Sequence, residues 1–505
     1  MHFVIVGGGS SGWIAATTLL GAPHSKITLI ESPKTPTIGV GESTIDGFID
    51  WMNLVGIKPE DIMKDTDASF KLAIKFEDFA HKGHQSFYPF GTSALDKKKY
   101  ETWAKRKFID PDRHKSLEDT FFAAMALVRE GKFRKDTEYY RHNGFALHFD
   151  AAKFGKWLWE NYCKPRGVEL IRQEVVNIDV NDDGINFLKL DNGDVIKGDM
   201  YIDCTGFKSL LLEGALKVPF KDYSNVIPNN MAWSTHLPYI DKEKELVGYT
   251  NCTAINNGWV WNIPLWSRIG SGYVYSNKFI TDDQALDEFK EYIRKNGRDP
   301  ETLQYKKIPI KNGIHEKIWH KNVVAIGLAA GFIEPLESTG LWFTHEFAYM
   351  FLRLLYRGLP IGQFDQDLFN KSCHSQWEET VEFVGMHYAL SKRRDSEYWI
   401  DVAKRNYHMS DLFVSCTFNK IRWHSNWPGI NCIVHGWGHD FYDETNFWMN
   451  VFPKNANFKE MYKSEFDMLE MTPSRWYAEV KTAPKLIDVL HAIHEEQVPA
   501  ASPLC

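Results

Sequence analysis

The first 31 residues constrain the fold more than any other stretch of the chain. Phe3-Val4-Ile5-Val6 is a short continuous apolar run of the kind that forms a buried strand. It runs into Gly7-Gly8-Gly9-Ser10-Ser11-Gly12, a G-x-G-x-x-G pattern, and Trp13 to Leu20 reads as a helix. Lys26 to Ile30 is a second strand, and Glu31 stands at its end. In such a unit the glycines let the backbone approach a pyrophosphate closely. The helix N-terminus faces the negative charge, and the acid accepts from ribose hydroxyls. The glycine pattern alone is weak evidence. Flanked by two strands and followed by an acid at this distance, it specifies a dinucleotide-binding βαβ unit.

The rest of the chain extends that unit. Asp182-Asp183-Gly184 and Asn192-Gly193 punctuate a β-meander, and Asp199 to Asp203 reads as a strand leading into Cys204-Thr205-Gly206. Val323-Val324-Ala325-Ile326-Gly327 is a further buried strand running into a glycine turn. The nucleotide domain is therefore expected to be discontinuous, over 1–215 and 320–345. A sheet-rich excursion is expected over 216–319 and a mostly helical substrate-binding region over 346–505. Phe347, Met350, Phe351, Leu354 and Leu355 recur at helical spacing at the start of that last region. The fold class is α/β, a Rossmann-like domain with a mixed sheet plus a largely helical C-terminal region. A net charge of -7 over 505 residues argues against a nucleic-acid surface as the main business. No apolar run reaches the length of a membrane span, and the N-terminus lacks the features of a signal peptide. The seven cysteines are scattered without a Cys-x-x-Cys pair, so neither a disulfide framework nor a zinc site is expected. A cytoplasmic protein fits these features.

Several motifs carry chemistry. Gly258-Trp259-Val260-Trp261-Asn262-Ile263-Pro264 contains Trp-x-Trp-x-Ile-Pro, followed by Gly272-Tyr273-Val274-Tyr275-Ser276. Gly39-Val40-Gly41-Glu42-Ser43-Thr44, Ser69-Phe70-Lys71-Leu72-Ala73-Ile74-Lys75-Phe76, Leu147-His148-Phe149-Asp150 and Asp203-Cys204-Thr205-Gly206-Phe207 precede it. Phe332-Ile333-Glu334-Pro335-Leu336-Glu337-Ser338-Thr339-Gly340 follows. In this order, over roughly the first two-thirds of the chain, the set resembles the flavin-dependent halogenases, and within them the tryptophan and indole branch.

The resemblance implies an enzyme that binds FAD as FADH2 and uses O2 and a halide ion (chloride, bromide or iodide). In that family the reduced flavin forms a hydroperoxide with oxygen, and the halide takes its distal oxygen to give hypohalous acid. A lysine beside the organic substrate then receives the oxidant, and an electron-rich aromatic carbon takes the halogen. By motif position that lysine is Lys71 rather than Lys75, and Glu337 is the carboxylate beside it. A buried ammonium needs an acidic partner, and Glu337 is expected to supply it. Thr339 and Gly340 are expected to offer backbone N–H groups to the halide at a helix start, a natural anion site. Glu334 is expected to be a helix-capping acid instead. The cofactor-binding set is Gly7, Gly8, Gly9, Ser10, Ser11, Gly12, Trp13, Glu31, Ser32, Val40, Gly41, Glu42, Val175, Leu328 and Leu341. Trp259 and Trp261 are expected to crowd the flavin side and keep organic substrate from the oxidant. Residue type alone would make them core aromatics on one face of a strand.

The chain departs from the tryptophan-specific pattern. The short aromatic segment Phe87-Tyr88-Pro89-Phe90-Gly91 lacks the histidine that stacks on indole in that branch. Phe90 and Trp427 are the residues left to line a substrate pocket, with Trp423 near the same place, which points to an indole or similar small aromatic rather than free tryptophan. No second nucleotide fingerprint for NADH is present, so a separate NADH-dependent flavin reductase is the expected partner, and self-association into a homo-oligomer is left open. A flavin-dependent aromatic monooxygenase and a non-catalytic flavin-binding protein are the alternatives. Gly327-Leu328 stands where many hydroxylases carry Gly-Asp, which weakens the first of these. His435 and His439 are four apart, but the glycines between them argue against a helix, and no further ligands are evident, so no metal site is expected.

Overall fold

The computed structural model describes residues 1–34, 41–91, 93–135, 144–357, 360–405, 407, 429–437 and 457–495. The opening segment folds as its pattern requires. The strand His2–Val6 lies at the centre of a six-stranded sheet in the order Trp319–His320, Val323–Ala325, Met200–Asp203, His2–Val6, Lys26–Glu31, Glu169–Arg172. Every pairing is parallel except that of Trp319–His320 with Val323–Ala325. Phe3, Val4 and Ile5 are fully buried, as a strand covered on both faces must be. The helix Ser10–Leu19 begins three residues earlier than its apolar run suggests, at the serines of the glycine loop. It packs against the helix Gly340–Leu355.

The meander is present as a three-stranded antiparallel sheet, Val195–Ile196, Gly184–Leu190 and Val175–Asn181. A seven-stranded sheet runs Lys306–Pro309, Met231–Leu237, Ile269–Tyr275, Gly258–Pro264, Tyr249–Ala254, Ala73–Glu77, Gln85–Pro89. It draws strands from both the 1–215 and the 216–319 segments, joined by the parallel pairing of Tyr249–Ala254 with Ala73–Glu77. Helices Gly340–Leu355 and Gln363–Ala389 open the C-terminal region, with Lys463–Val480 and Leu486–His494 toward its end.

One small sheet does most to position the site. Ala146–Asp150 lies between Gly41–Ser43 and Ser69–Lys71, antiparallel to both. Its register sets His148 opposite Ser43 on one side and Ser69 on the other, and sets Lys71 opposite Ala146. Among the described residues no helix is long and apolar enough to cross a membrane. Among the described residues the cysteines Cys163, Cys204, Cys252, Cys373 and Cys432 are buried and free.

Candidate active site

A cavity of about 550 Å³ opens along the glycine loop and runs between the Rossmann-like sheet and the seven-stranded sheet. Gly7, Gly8, Gly9, Ser10, Ser11, Glu31 and Ser32 line one end, with Gly41, Glu42, Val175, Leu328, Gly340 and Leu341 further along. The glycines shape it in different ways. Gly7 has φ of +116°, and a Cβ there would stand 2.2 Å from the carbonyl oxygen of Cys204. A Cβ on Gly12 would stand 1.9 Å from the Gly7 carbonyl, so Gly12 packs helix to strand and does not face the cavity. A Cβ on Gly9 would meet nothing within 4 Å, so Gly9 is where the loop is open to a ligand. Trp13 lies outside this cavity. It lines an adjoining space of about 250 Å³ with Gly8, Gly9, Glu31 and Arg172, and its ring lies 5.1 Å from that of Trp159. Glu31 faces both spaces, and Arg172 Nε donates to it at 3.1 Å. A loop cleared of side chains, an acid at the second strand end and a long apolar slot fit a flavin adenine dinucleotide. Val40 lies outside the described residues. Glu42 faces the cavity, and burial together with neighbouring Asp150 pushes its carboxyl up to about 7.

Trp261 lines the cavity, and its ring lies flat against the backbone of Gly272, where a Cβ would stand 2.1 Å from it. Trp259, on the same face of the strand with its ring 6.2 Å from that of Trp261, does not reach the cavity. It is fully buried, and its Nε1 donates to Glu334 at 3.3 Å. Glu334 caps no helix, contrary to expectation. Its carboxylate is fully buried and accepts from Asn229 Nδ2 at 3.0 Å, from the Tyr388 hydroxyl and from Trp259. Burial pushes this carboxyl up to about 7 despite its three donors. Glu334 thus fastens the tryptophan strand to the helix Gln363–Ala389, a structural role that its position next to Pro335 does not reveal.

Lys71 sits behind the cavity wall and is fully buried. Its Nζ donates to the Thr44 carbonyl at 2.8 Å and to Ser338 Oγ at 3.0 Å, and lies 4.9 Å from the centre of the Phe90 ring. Burial lowers its pKa to about 7, with Glu337, Cys252 and Asp46 opposing the shift. The expected direct Lys71–Glu337 ion pair is absent. Glu337 instead approaches His387, with Oε1 2.7 Å from Nε2 and both side chains fully buried. At that distance a proton lies between the two groups, and Oε2 has no hydrogen-bond partner among the described residues. Burial raises the Glu337 carboxyl, with His387 and Lys71 pulling the other way. His387 Nδ1 meets the Phe383 carbonyl at 3.0 Å, and no motif in the sequence marked His387.

Ser338 connects the two regions. It lines the cavity, touches Lys71 and has a left-handed backbone with φ of +58°. For a non-glycine residue that conformation is uncommon and is found where surrounding structure over-determines it. Thr339 and Gly340 follow at the start of the helix Gly340–Leu355. Thr339 is fully buried with its hydroxyl unpartnered, and Gly340 lines the cavity with nothing within 4 Å of where a Cβ would stand. Phe90, beside the Lys71 amine, is 3% exposed. Trp423, Trp427, His439 and the His435 side chain lie outside the described residues. Among the described residues no group of three or more potential metal ligands occurs.

Comparison with known proteins agrees with this arrangement. The tryptophan halogenase family pattern matches residues 2–453. The chain is 32% identical over 422 residues to the tryptophan 6-halogenase ThaL of Streptomyces albogriseolus, which covers 78% of this chain and 77% of that protein. The solved structure of apo VirX1 superposes with a TM-score of 0.87 at 34% identity, covering 97% of this chain and 98% of that one. BrvH, a flavin-dependent halogenase from Brevundimonas sp. BAL3, superposes with a TM-score of 0.82 at 28% identity, covering 98% and 99%.

Proposed function

The chain belongs to the tryptophan halogenase family, and from that premise we propose that it halogenates a small electron-rich aromatic, indole-like, at a site formed by Lys71 and Glu337. It is a flavin-dependent enzyme. The reduced FAD, delivered by a separate NADH-dependent flavin reductase, supplies hypohalous acid when bound with O2 and a halide. The observation that carries the reading is that Ser338 faces the flavin-sized cavity on one side and accepts from the buried Lys71 amine on the other.

The chain's own residues divide the work. Gly9, Glu31 and the loop serines hold the dinucleotide. The backbone N–H groups of Thr339 and Gly340, with the positive end of the helix Gly340–Leu355 behind them, hold the halide. Trp261 closes the sheet side of the cavity and keeps bulky organic molecules from it. Lys71, with pKa near 7, receives the oxidant either by donating a hydrogen bond or as a free amine that takes the halogen. Both forms are accessible near neutral pH because burial has removed most of the ordinary preference for the ammonium. Glu337, whose Oε1 is held by His387 and whose Oε2 is free of hydrogen bonds among the described residues, stabilises the ring as it becomes cationic and takes up the proton it loses. Phe90, over the Lys71 amine, offers a face for the substrate ring.

The test is a mass-spectrometric product assay with FAD, NADH and a flavin reductase, against indole, tryptophan and phenols, with chloride, bromide or iodide. Halide-dependent halogenated product supports the proposal. Oxygenated product formed without halide would replace it with a monooxygenase. FAD binding with no product from any substrate would favour the non-catalytic reading.

A further inference from the structure

The segment Leu147-His148-Phe149-Asp150 has no part in the chemistry above, yet His148 is fully buried in the sheet that carries Lys71. An unbroken set of hydrogen bonds joins the two. Lys71 Nζ donates to Ser338 Oγ at 3.0 Å, and Ser338 Oγ meets Ser43 Oγ at 3.1 Å. Ser43 Oγ meets Thr250 Oγ1 at 2.8 Å, and Thr250 Oγ1 meets His148 Nε2 at 2.9 Å. On the far side of the ring, His148 Nδ1 meets Ser69 Oγ at 3.2 Å, and Ser69 donates to the Pro264 carbonyl.

The far end fixes the direction of the set. A carbonyl can only accept, so the Ser69 proton points to Pro264, and Ser69 Oγ accepts from His148 Nδ1–H. His148 Nε2 then carries a lone pair and accepts from Thr250. Thr250 in turn accepts from Ser43, Ser43 from Ser338, and Ser338 from Lys71. Every hydroxyl donates away from Lys71 and toward the ring. Beyond the ring the set ends in protein at Pro264, so a proton that reaches the ring goes no further, while Ser338, Ser43 and Thr250 line the flavin-sized cavity on the way.

We propose that His148 is a positioning residue that holds the proton of Lys71 while Lys71 carries the halogen, with Ser338, Ser43 and Thr250 as the path. This rests on the reading that Lys71 receives the oxidised halogen. The proton leaves Lys71 Nζ for Ser338, each hydroxyl passes its own proton onward, and an N–H bond forms at His148 Nε2. The free amine then displaces hydroxide from hypohalous acid. The N–halogen bond forms, the halogen–oxygen bond breaks, and one amine proton joins the hydroxide as water. When the aromatic carbon takes the halogen, the ring proton, taken up first by Glu337, passes to nitrogen and restores the amine, and the stored proton returns from His148 to give the ammonium again. Lys71 is faced by Glu337, Cys252 and Asp46, and Glu337 by His387, whereas the one charged group that acts on His148 is Lys71. Burial and the Lys71 charge hold the imidazole well below its ordinary pKa, so the resting proton sits on Lys71.

The experiment compares Thr250→Val, which removes one hydroxyl at constant shape, with Thr250→Ser, which restores it, across a pH series in the reductase-coupled halogenation assay. Below pH 7 the valine variant is expected to transfer halogen at least about tenfold more slowly, in the range of lost proton transfer. About two pH units above 7, where Lys71 is already an amine, its deficit is expected to vanish. The serine variant is expected to match the parent throughout. A deficit equal at all pH values, or none at low pH, would overturn the relay. A Lys71→Ala arm separates the two readings. Product surviving in that arm defeats the role of Lys71 itself, whereas loss of product there with a pH-independent Thr250→Val defeats the relay alone. In flavin-free protein, ¹⁵N-histidine spectra, assigned by the signal lost in His148→Gln, are expected to show neutral His148 protonated on Nδ1. The Nε2-protonated tautomer would contradict the direction of the set whatever the turnover.

Discussion

Replacing Lys71 by methionine should make the folded protein more stable at neutral pH, and the gain should disappear in alkali. Lys71 is fully buried, and its pKa falls from 10.5 to about 7 on folding. The sign follows from proton counting. Between these two values the unfolded chain binds the proton and the folded chain does not, so stability rises with pH across that window. Below it, the folded state carries the whole cost of burying the ammonium. At about 1.4 kcal/mol per pH unit, that cost is roughly 5 kcal/mol as an upper figure. Methionine has nearly the same length and removes the charge. It also leaves the Thr44 carbonyl and Ser338 Oγ without the Lys71 proton, at about 1 kcal/mol or a little more each. The net expectation is a variant about 2–3 kcal/mol more stable than the parent below pH 7. The advantage should shrink by about 2–3 kcal/mol as pH rises by two units from there. Urea melts of both proteins at matched pH values read the difference, because titrating groups remote from Lys71 cancel. A difference that is constant over that range, or a variant less stable at every pH, would refute the buried, readily deprotonated lysine.

Outcomes for four further variants follow from the geometry. Gly9→Ala should fold with stability within about 1 kcal/mol of the parent and bind FAD more weakly by calorimetry. Gly12→Ala, whose Cβ would stand 1.9 Å from the Gly7 carbonyl, should lose the fold itself. Glu334→Ala orphans the buried donors of Tyr388, Asn229 and Trp259, and its melt should show a loss of about 3 kcal/mol or more. Gly272→Ala drives a methyl into the Trp261 ring, so flavin binding and stability should fall together, by about 1–3 kcal/mol in stability. A companion Trp261→Phe exchange in the same chain should recover part of that loss.

The segments that the sequence made legible are those whose chemistry is local. The βαβ unit was readable because a strand, a cleared loop and an acid must occur in that order to seat a pyrophosphate. The helix began three residues before its apolar run, since Ser10, Ser11 and Gly12 are helical without contributing to periodicity. The antiparallel meander was readable from its turn residues. What could not be read depends on contacts between distant segments. Glu334 looked like a helix cap because acids at such positions usually are, and its true partners lie 54, 75 and 105 residues away. Trp259 and Trp261 share one face of a strand, as their spacing requires, but periodicity cannot distinguish the ring that reaches a cavity from the one fastened to a carboxylate. The pairing of Glu337 with His387 rather than Lys71 depends on a helix placed by the tertiary fold. His148 was present in a quoted motif, but its link to Lys71 arises only from sheet register.

The most direct test of halogen transfer at Lys71 separates making the oxidant from delivering it. Parent and Lys71→Ala enzymes would be run with reductase, FAD, bromide and indole, alongside a soluble 1,3-dione that traps free hypohalous acid. The expected result is that both proteins halogenate the trap while only the parent halogenates indole. Equal halogenation of indole by the two would contradict the assignment of Lys71.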